Sequence, residues 1–108
     1  MRSKVESYLG FAARARSLST GYNTCIFMME KRKLKLLILT EDLSENSKEK
    51  MLRAAKQYEV PCRTYGKMDD LSHITGTEGK GIFGLADKNL ADAIVSEIDR
   101  QSVEEQVF

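Results

Sequence analysis

The chain has 108 residues, 42% of them apolar, with one Pro, no Trp and a formal net charge of +1. That length supports one domain whose core buries roughly 60–70% of the unfolded surface. No apolar run approaches the ~20 residues of a membrane-spanning helix, so no membrane partner is expected. Met1-Arg2-Ser3-Lys4 leads into a charged amphipathic segment, unlike a signal peptide. The two cysteines, Cys25 and Cys62, lie far apart and His73 is the single histidine. A metal site is therefore not expected, and a reduced, cytoplasmic setting is the simplest assignment.

The near-neutral total hides an asymmetry. Residues 1–67 hold fourteen Lys/Arg against seven Asp/Glu, whereas residues 68–108 hold three against nine. Folding can turn this into a basic face suited to a polyanion and an acidic face, or it can scatter the charges.

In chain order, residues 3–15 predict a first helix, with Val5, Tyr8, Leu9, Ala12 and Ala13 as its apolar stripe. Arg14 and Arg16 close it, where cations complement the helix dipole and can also reach phosphate. Leu18-Ser19-Thr20 is a short extended piece, and Gly21 supplies a permissive backbone before a second helix. On that helix Tyr22, Cys25, Ile26 and Met29 share one face, while Asn23, Phe27 and Glu30 fall opposite, with Lys31 close by. A phenylalanine on the solvent side either packs under a neighbouring loop or marks a functional surface.

Residues 34–40, Leu-Lys-Leu-Leu-Ile-Leu-Thr, predict a strand buried on both faces in mid-sheet. Glu41 and Asp42 follow at its carboxyl end, where open α/β sheets carry function. With Ser44 they read first as the start of a third helix, and second as a carboxylate pair. That helix is expected over residues 45–58 with Met51, Leu52, Ala55 and Tyr58 inward. Pro61 ends it and opens a strand at residues 62–66. A short helix over residues 68–75 carries Leu71 and Ile74. The glycine-rich loop 76–81 lacks the spacing of a nucleotide-phosphate loop. A last strand spans residues 82–86 and a last helix residues 89–100, with Leu90, Ala93, Ile94 and Ile98 as its stripe. Residues 1–100 thus form one domain, and 101–108 an acidic tail expected to fray. Alternating helices and strands predict an α/β fold, a sheet with helices on both faces.

No catalytic constellation emerges. Ser72 and His73 are adjacent and cannot face each other on a helix, and no nucleophile elbow occurs. No enzyme activity and no cofactor are expected. A nucleic-acid reading finds more: unpaired amides at the start of the second helix, Asn23 as both donor and acceptor, basic residues around it, and Phe27 as a stacking surface.

The order of elements resembles the kink-turn RNA-binding ribosomal proteins, in particular the small bacterial YlxQ-type members. The residues that carry the likeness are Leu9-Gly10-Phe11-Ala12-x-Arg14-Ala15, Gly21-x-Asn23, Leu36 to Asp42, and Lys67, Leu71 and Gly76. The resemblance implies a three-layer α/β/α sandwich with a central mixed four-stranded sheet, gripping a bent RNA internal loop in a ribosome or other ribonucleoprotein. It nominates Gly21, Asn23, Thr24 and Phe27 as RNA-binding, with Thr75, Gly76, Thr77 and Lys80 in the loop over an extruded base. Arg14, Arg16, Lys31 and Glu41 complete the candidate set. Thr24 and Phe27 replace the Glu and Lys of the usual Gly-x-Asn-Glu-x-x-Lys motif, and Ser72 stands where many members have glycine. The alternative function is a protein-interaction module built on Phe27 and the neighbouring Met28.

Overall fold

The computed structural model describes residues 3–106, and the side chains of residues 3–102. The described elements, in chain order, are α1 (Lys4–Arg14), β1 (Leu18–Thr20), α2 (Tyr22–Glu30), β2 (Leu36–Leu39), α3 (Glu45–Gln57), β3 (Cys62–Thr64), α4 (Met68–Thr75), β4 (Ile82–Leu85) and α5 (Lys88–Gln106). The order matches the sequence expectation, with each strand one to three residues shorter than or equal to its predicted span. The last helix runs past Arg100: residues 101–106 continue α5, while Val107 and Phe108 lie outside the described residues. No described helix is long and apolar enough to cross a membrane.

The sheet order is β1-β4-β2-β3. β4 pairs antiparallel with both β1 and β2, and β2 pairs parallel with β3, so the sheet is mixed. β2 lies inside it with all four residues buried, as its unbroken apolar run requires. Alternation along β2 divides the core. Leu36 and Ile38 pack with Val5, Leu9 and Ala12 of α1, Leu71 of α4 and Ile94 of α5. Leu37 and Leu39 face Cys25 and Met29 of α2 and Met51, Ala54 and Ala55 of α3. Three helices cover one face and two the other, giving the α/β/α sandwich.

This layering sorts the charge only in part. The basic residues of α3 and of the turn after α2 (Lys31, Arg32 and Lys33) share one face, and the acidic residues of α4 and α5 the other. Arg14 belongs to α1, however, and so sits in the same layer as the acids.

Two expected inward residues point outward. Leu52 is 51% exposed because it stands about 100° around α3 from Met51, beside the buried arc that Ala54 completes. Tyr22 is 42% exposed. Its angle on α2 is right, but as the first helical residue it overhangs the layer, and its ring borders a groove toward α3.

α1, α2 and α3 end alike. Arg16, Arg32 and Glu59 take left-handed backbone angles, with φ of 60°, 60° and 57°. The next residue in each case donates its N–H back into the helix: Ser17 to the Ala12 carbonyl, Lys33 to Met28 and Val60 to Ala55. That motif favours glycine, because a Cβ crowds the backbone there. Glu59 is exposed. Glu59→Gly should therefore raise unfolding stability by about 1 kcal/mol in urea titration; an unchanged or lowered midpoint would mean the left-handed turn costs the chain nothing.

Candidate functional site

Antiparallel and parallel pairing bring four chain segments to one end of the sheet: the end of β1, the start of β4, and the ends of β2 and β3. Main-chain bonds lace this crest. Gly21 N–H donates to the Ile82 carbonyl (2.9 Å), Thr40 N–H to Gly81 (3.0 Å) and Glu41 N–H to Gly66 (2.8 Å).

α2 rises from this crest, and its amino end has no side-chain acceptor. Its N-cap is Gly21, at φ 89°, and no acidic residue lies in the first turn. The amides of Tyr22, Asn23 and Thr24 are thus presented outward with the positive end of the helix dipole behind them. The other helices differ. Ser3 caps α1 in a reciprocal box with Glu6, Ser44 accepts from Ser47 N–H, Asp42 accepts from Met68 N–H and Asp87 from Leu90 N–H. Asn23 and Thr24 are exposed beside this open turn. Phe27 is 53% exposed, so no loop covers it.

The glycine-rich loop arrives at the same place. A Cβ on Gly21 would stand 3.6 Å from Lys80 Nζ, so the lysine head lies against the α2 amino end. Ser72 fixes that approach from the buried side of α4: its hydroxyl donates to the Lys80 carbonyl and accepts Lys80 N–H, both at 2.9 Å. Thr75 is 9% exposed, and its hydroxyl binds the Leu71 carbonyl (2.8 Å) and the Thr77 hydroxyl (3.0 Å). Thr75 and Thr77 therefore brace the loop, while Gly76, Glu78, Gly79 and Lys80 are its exposed members. Gly81 is needed for space: a Cβ there would meet Thr40 Oγ1 at 2.8 Å and Met68 at 2.9 Å.

The remaining candidates fall in three places. Arg14 joins the loop, lining a recess of about 330 Å³ with His73, Thr75 and Gly76. Glu41 lies on the crest, with Lys67 at 3.7 Å from its carboxylate and Lys48 Nζ donating to its carbonyl at 2.8 Å. Arg16 and Lys31 stand apart. Arg16 precedes β1 at the end opposite Gly21, where Ser17 accepts Ala86 N–H. Lys31 follows the last turn of α2, its ammonium 5.4 Å from the Phe27 ring centroid. Sequence proximity placed both near the site, and strand length and helix length carry them away.

Asp42 opens α4, not α3. Its carboxylate takes Met68 N–H at 3.0 Å, and this bond, aided by Lys67, holds its pKa below the ordinary carboxylate value. A pKa lowered on folding contributes stability that is complete above the unfolded value and is lost as pH falls through the folded one. Ser44 alone caps α3, at 3.2 Å from Ser47 N. Cys25 is core: burial pushes its thiol up to about 12. Among the described residues, no group of three His, Cys, Asp or Glu side chains is placed to hold a metal ion.

Ser72 and Gly81 were invisible as loop-holding residues. The one sequence signal was phase, since Ser72 and Thr75 share the buried arc of α4 with Leu71. Ser72→Ala should speed hydrogen exchange at Lys80 and cost about 1–3 kcal/mol, the penalty for stranding two bonded groups. Unchanged Lys80 exchange would show that the loop holds itself. Acidification below the carboxylate range should release the Met68 amide, seen as faster exchange there than at Ser47; equal rates would contradict the Asp42 cap.

Comparison with known proteins places this geometry. Residues 3–94 match the family described as Ribosomal protein L7Ae/L30e/S12e/Gadd45 family. RNA-binding protein YlxQ of Enterococcus faecium is 32% identical over 90 residues, covering 83% of this chain and 86% of that protein. RNA-binding protein YlxQ of Bacillus subtilis (strain 168) is 30% identical over 91 residues, covering 84% and 91%. Among solved structures, a protein of unknown function from Bacillus halodurans C superposes with a TM-score of 0.87 at 28% identity, covering 91% of this chain and 99% of that one. The Giardia lamblia 15.5kD RNA binding protein shares the fold, with a TM-score of 0.75 at 14% identity over 93% and 92% of the two chains. With nearly its whole domain matched and an open helix end beside a clamped loop, the chain belongs to the Ribosomal protein L7Ae/L30e/S12e/Gadd45 family.

Proposed function

We propose that this chain is a non-enzymatic, cytoplasmic RNA-binding protein that grips a sharply bent, kink-turn-like RNA within the ribosome or another ribonucleoprotein. The observation that carries this reading is the uncapped α2 amino end with Lys80 set against it. Outward amides and a nearby cation suit phosphate and base acceptors. The exposed Asn23 can donate to and accept from a base edge. The relatives named RNA-binding proteins support the same assignment.

In this reading Gly21, Asn23 and Thr24 contact the bent loop, and Gly76 and Lys80 close over it, held by Thr75 and Thr77. Arg14 lies behind that loop for a phosphate, and Glu41 flanks the crest. Arg16 acts at longer range, through the field of the basic residues, and Lys31 acts beside Phe27. Phe27 occupies the place of the motif's lysine and offers a ring in place of a charge. Lys31 over that ring makes the patch cationic as well as aromatic. That pairing favours a stacked base over the dry apolar contact that a protein-interaction module built on Phe27 would need.

Titration with a kink-turn duplex and a plain duplex tests the proposal. Wild type should prefer the kink-turn. Asn23→Ala should weaken that binding by about 1–3 kcal/mol, the worth of a good base-edge contact. Lys88→Ala should leave it unchanged, since Lys88 pairs with Asp92 at the start of α5. Equal, purely salt-dependent binding to both duplexes would defeat the kink-turn reading. Phe27→Ala should also weaken the kink-turn complex; an unchanged affinity with loss of a protein partner would favour the interaction module.

A further inference from the structure

A groove beginning at Tyr22 runs away from the α2 amino end between α2 and α3. It is lined by Tyr22 and Ile26 on one side and by Lys50, Arg53, Gln57 and Tyr58 on the other. Lys50, Arg53 and Gln57 recur at helical spacing, so α3 turns one polar, cationic edge to the groove. No carboxylate lines it. Glu49 stands just outside, 3.2 Å from Arg53 in an ion pair whose side chains are both about 70% exposed. Such a pair is worth little and yields readily to a phosphate. Lys50 is exposed and has no ion-pair partner among the described residues. At about 230 Å³ the groove is smaller than the ~300–1,000 Å³ of a small-molecule pocket. Its aromatic content is high for that size: the half-exposed Tyr22 ring at its mouth and Tyr58 at its far end, where Arg32 lies over the ring at 5.6 Å.

An aromatic ring at each end of a shallow channel, with cations between, suits a single nucleic-acid strand, bases on rings and phosphates on ammonium or guanidinium groups. The channel is continuous with the α2 amino end through Tyr22, whose amide belongs to that site and whose ring belongs to the groove. We infer that the α2–α3 groove binds a single-stranded RNA segment flanking the structured element, with a base on Tyr22 and phosphates on Lys50 and Arg53. This rests on the RNA-binding reading of the α2 amino end and extends it, from a grip on a folded loop to a grip on the strand leaving it.

Three probes test it: a blunt kink-turn duplex, the same duplex with a six-uridine single-stranded tail at either end in turn, and a free twelve-uridine strand. The tail should raise wild-type affinity at least fivefold for one of the two ends. The double variant Lys50→Gln/Arg53→Gln should abolish that gain while leaving the blunt duplex unchanged. It should also flatten the salt dependence of tailed binding by about 0.7 per lost phosphate contact. Tyr22→Leu should reduce the ratio of tailed to blunt affinity about fivefold, the low end for one stacked base. Tailed and blunt duplexes binding alike, with no affinity for the free strand, would overturn the groove while leaving the duplex result to judge the α2 amino end. Binding of the free strand that persists in the double variant would also overturn it. Failure of wild type to prefer the kink-turn would instead strike the reading on which it rests. Retained free-strand binding lost in Lys50→Gln/Arg53→Gln would still place RNA in the groove.

Discussion

The structure depends on β4 pairing antiparallel with two strands at once. β1 and β2 both run against it, so both end where it begins. That single arrangement sets Gly21, Lys80, Gly81 and Thr40 at one crest, although they are far apart in sequence. Main-chain bonds from Gly21 to Ile82 and from Thr40 to Gly81 hold the register. A slip of one residue would turn Phe83 and Leu85 out of the core they share with Leu36 and Ile38. The core therefore fixes the site: burying those side chains correctly leaves the α2 amino end and the loop together.

On that frame, the open helix end is conspicuous because its neighbours are closed. Ser3, Ser44, Asp42 and Asp87 satisfy the other helix starts, whereas glycine stands where α2 could have carried a cap. Glycine in place of serine or aspartate at an N-cap costs only about a few tenths of a kcal/mol, and it leaves the first-turn donors of α2 without a side-chain acceptor. The loop shows the converse: Ser72, Thr75 and Thr77 use inward hydroxyls to fix a segment whose outer residues, Gly76, Glu78, Gly79 and Lys80, remain in solvent. Open donors and a braced loop together make a preorganised electropositive site, with little ordering cost left for an anionic ligand.

The elements were legible in the sequence because local rules set them. The β2 run reads as a buried strand, and α4 is bounded at Met68 and Thr75 by lysine and left-handed glycine. What lay beyond reading was anything set by strand order. Asp42 carries the residue type of an N-cap, yet its helix is α4, brought near by the β2–β3 pairing and not by sequence. Arg16 and Lys31 look close to Gly21 along the chain, but β1 and α2 are each long enough to remove them. Tyr22 has the angle of a core residue but is the first residue of α2 and stays 42% exposed at the edge of the layer, which periodicity does not encode. Asn23 and Phe27 were legible as solvent-facing because amphipathicity is local.

The most direct test of the account is amide chemical-shift mapping of the isotopically labelled protein during titration with a kink-turn duplex. The largest changes should fall on Tyr22, Asn23 and Thr24 and on the loop from Thr75 to Lys80, with the start of α5 near Lys88 unmoved. Changes concentrated on α5, or spread evenly over every basic surface, would contradict it.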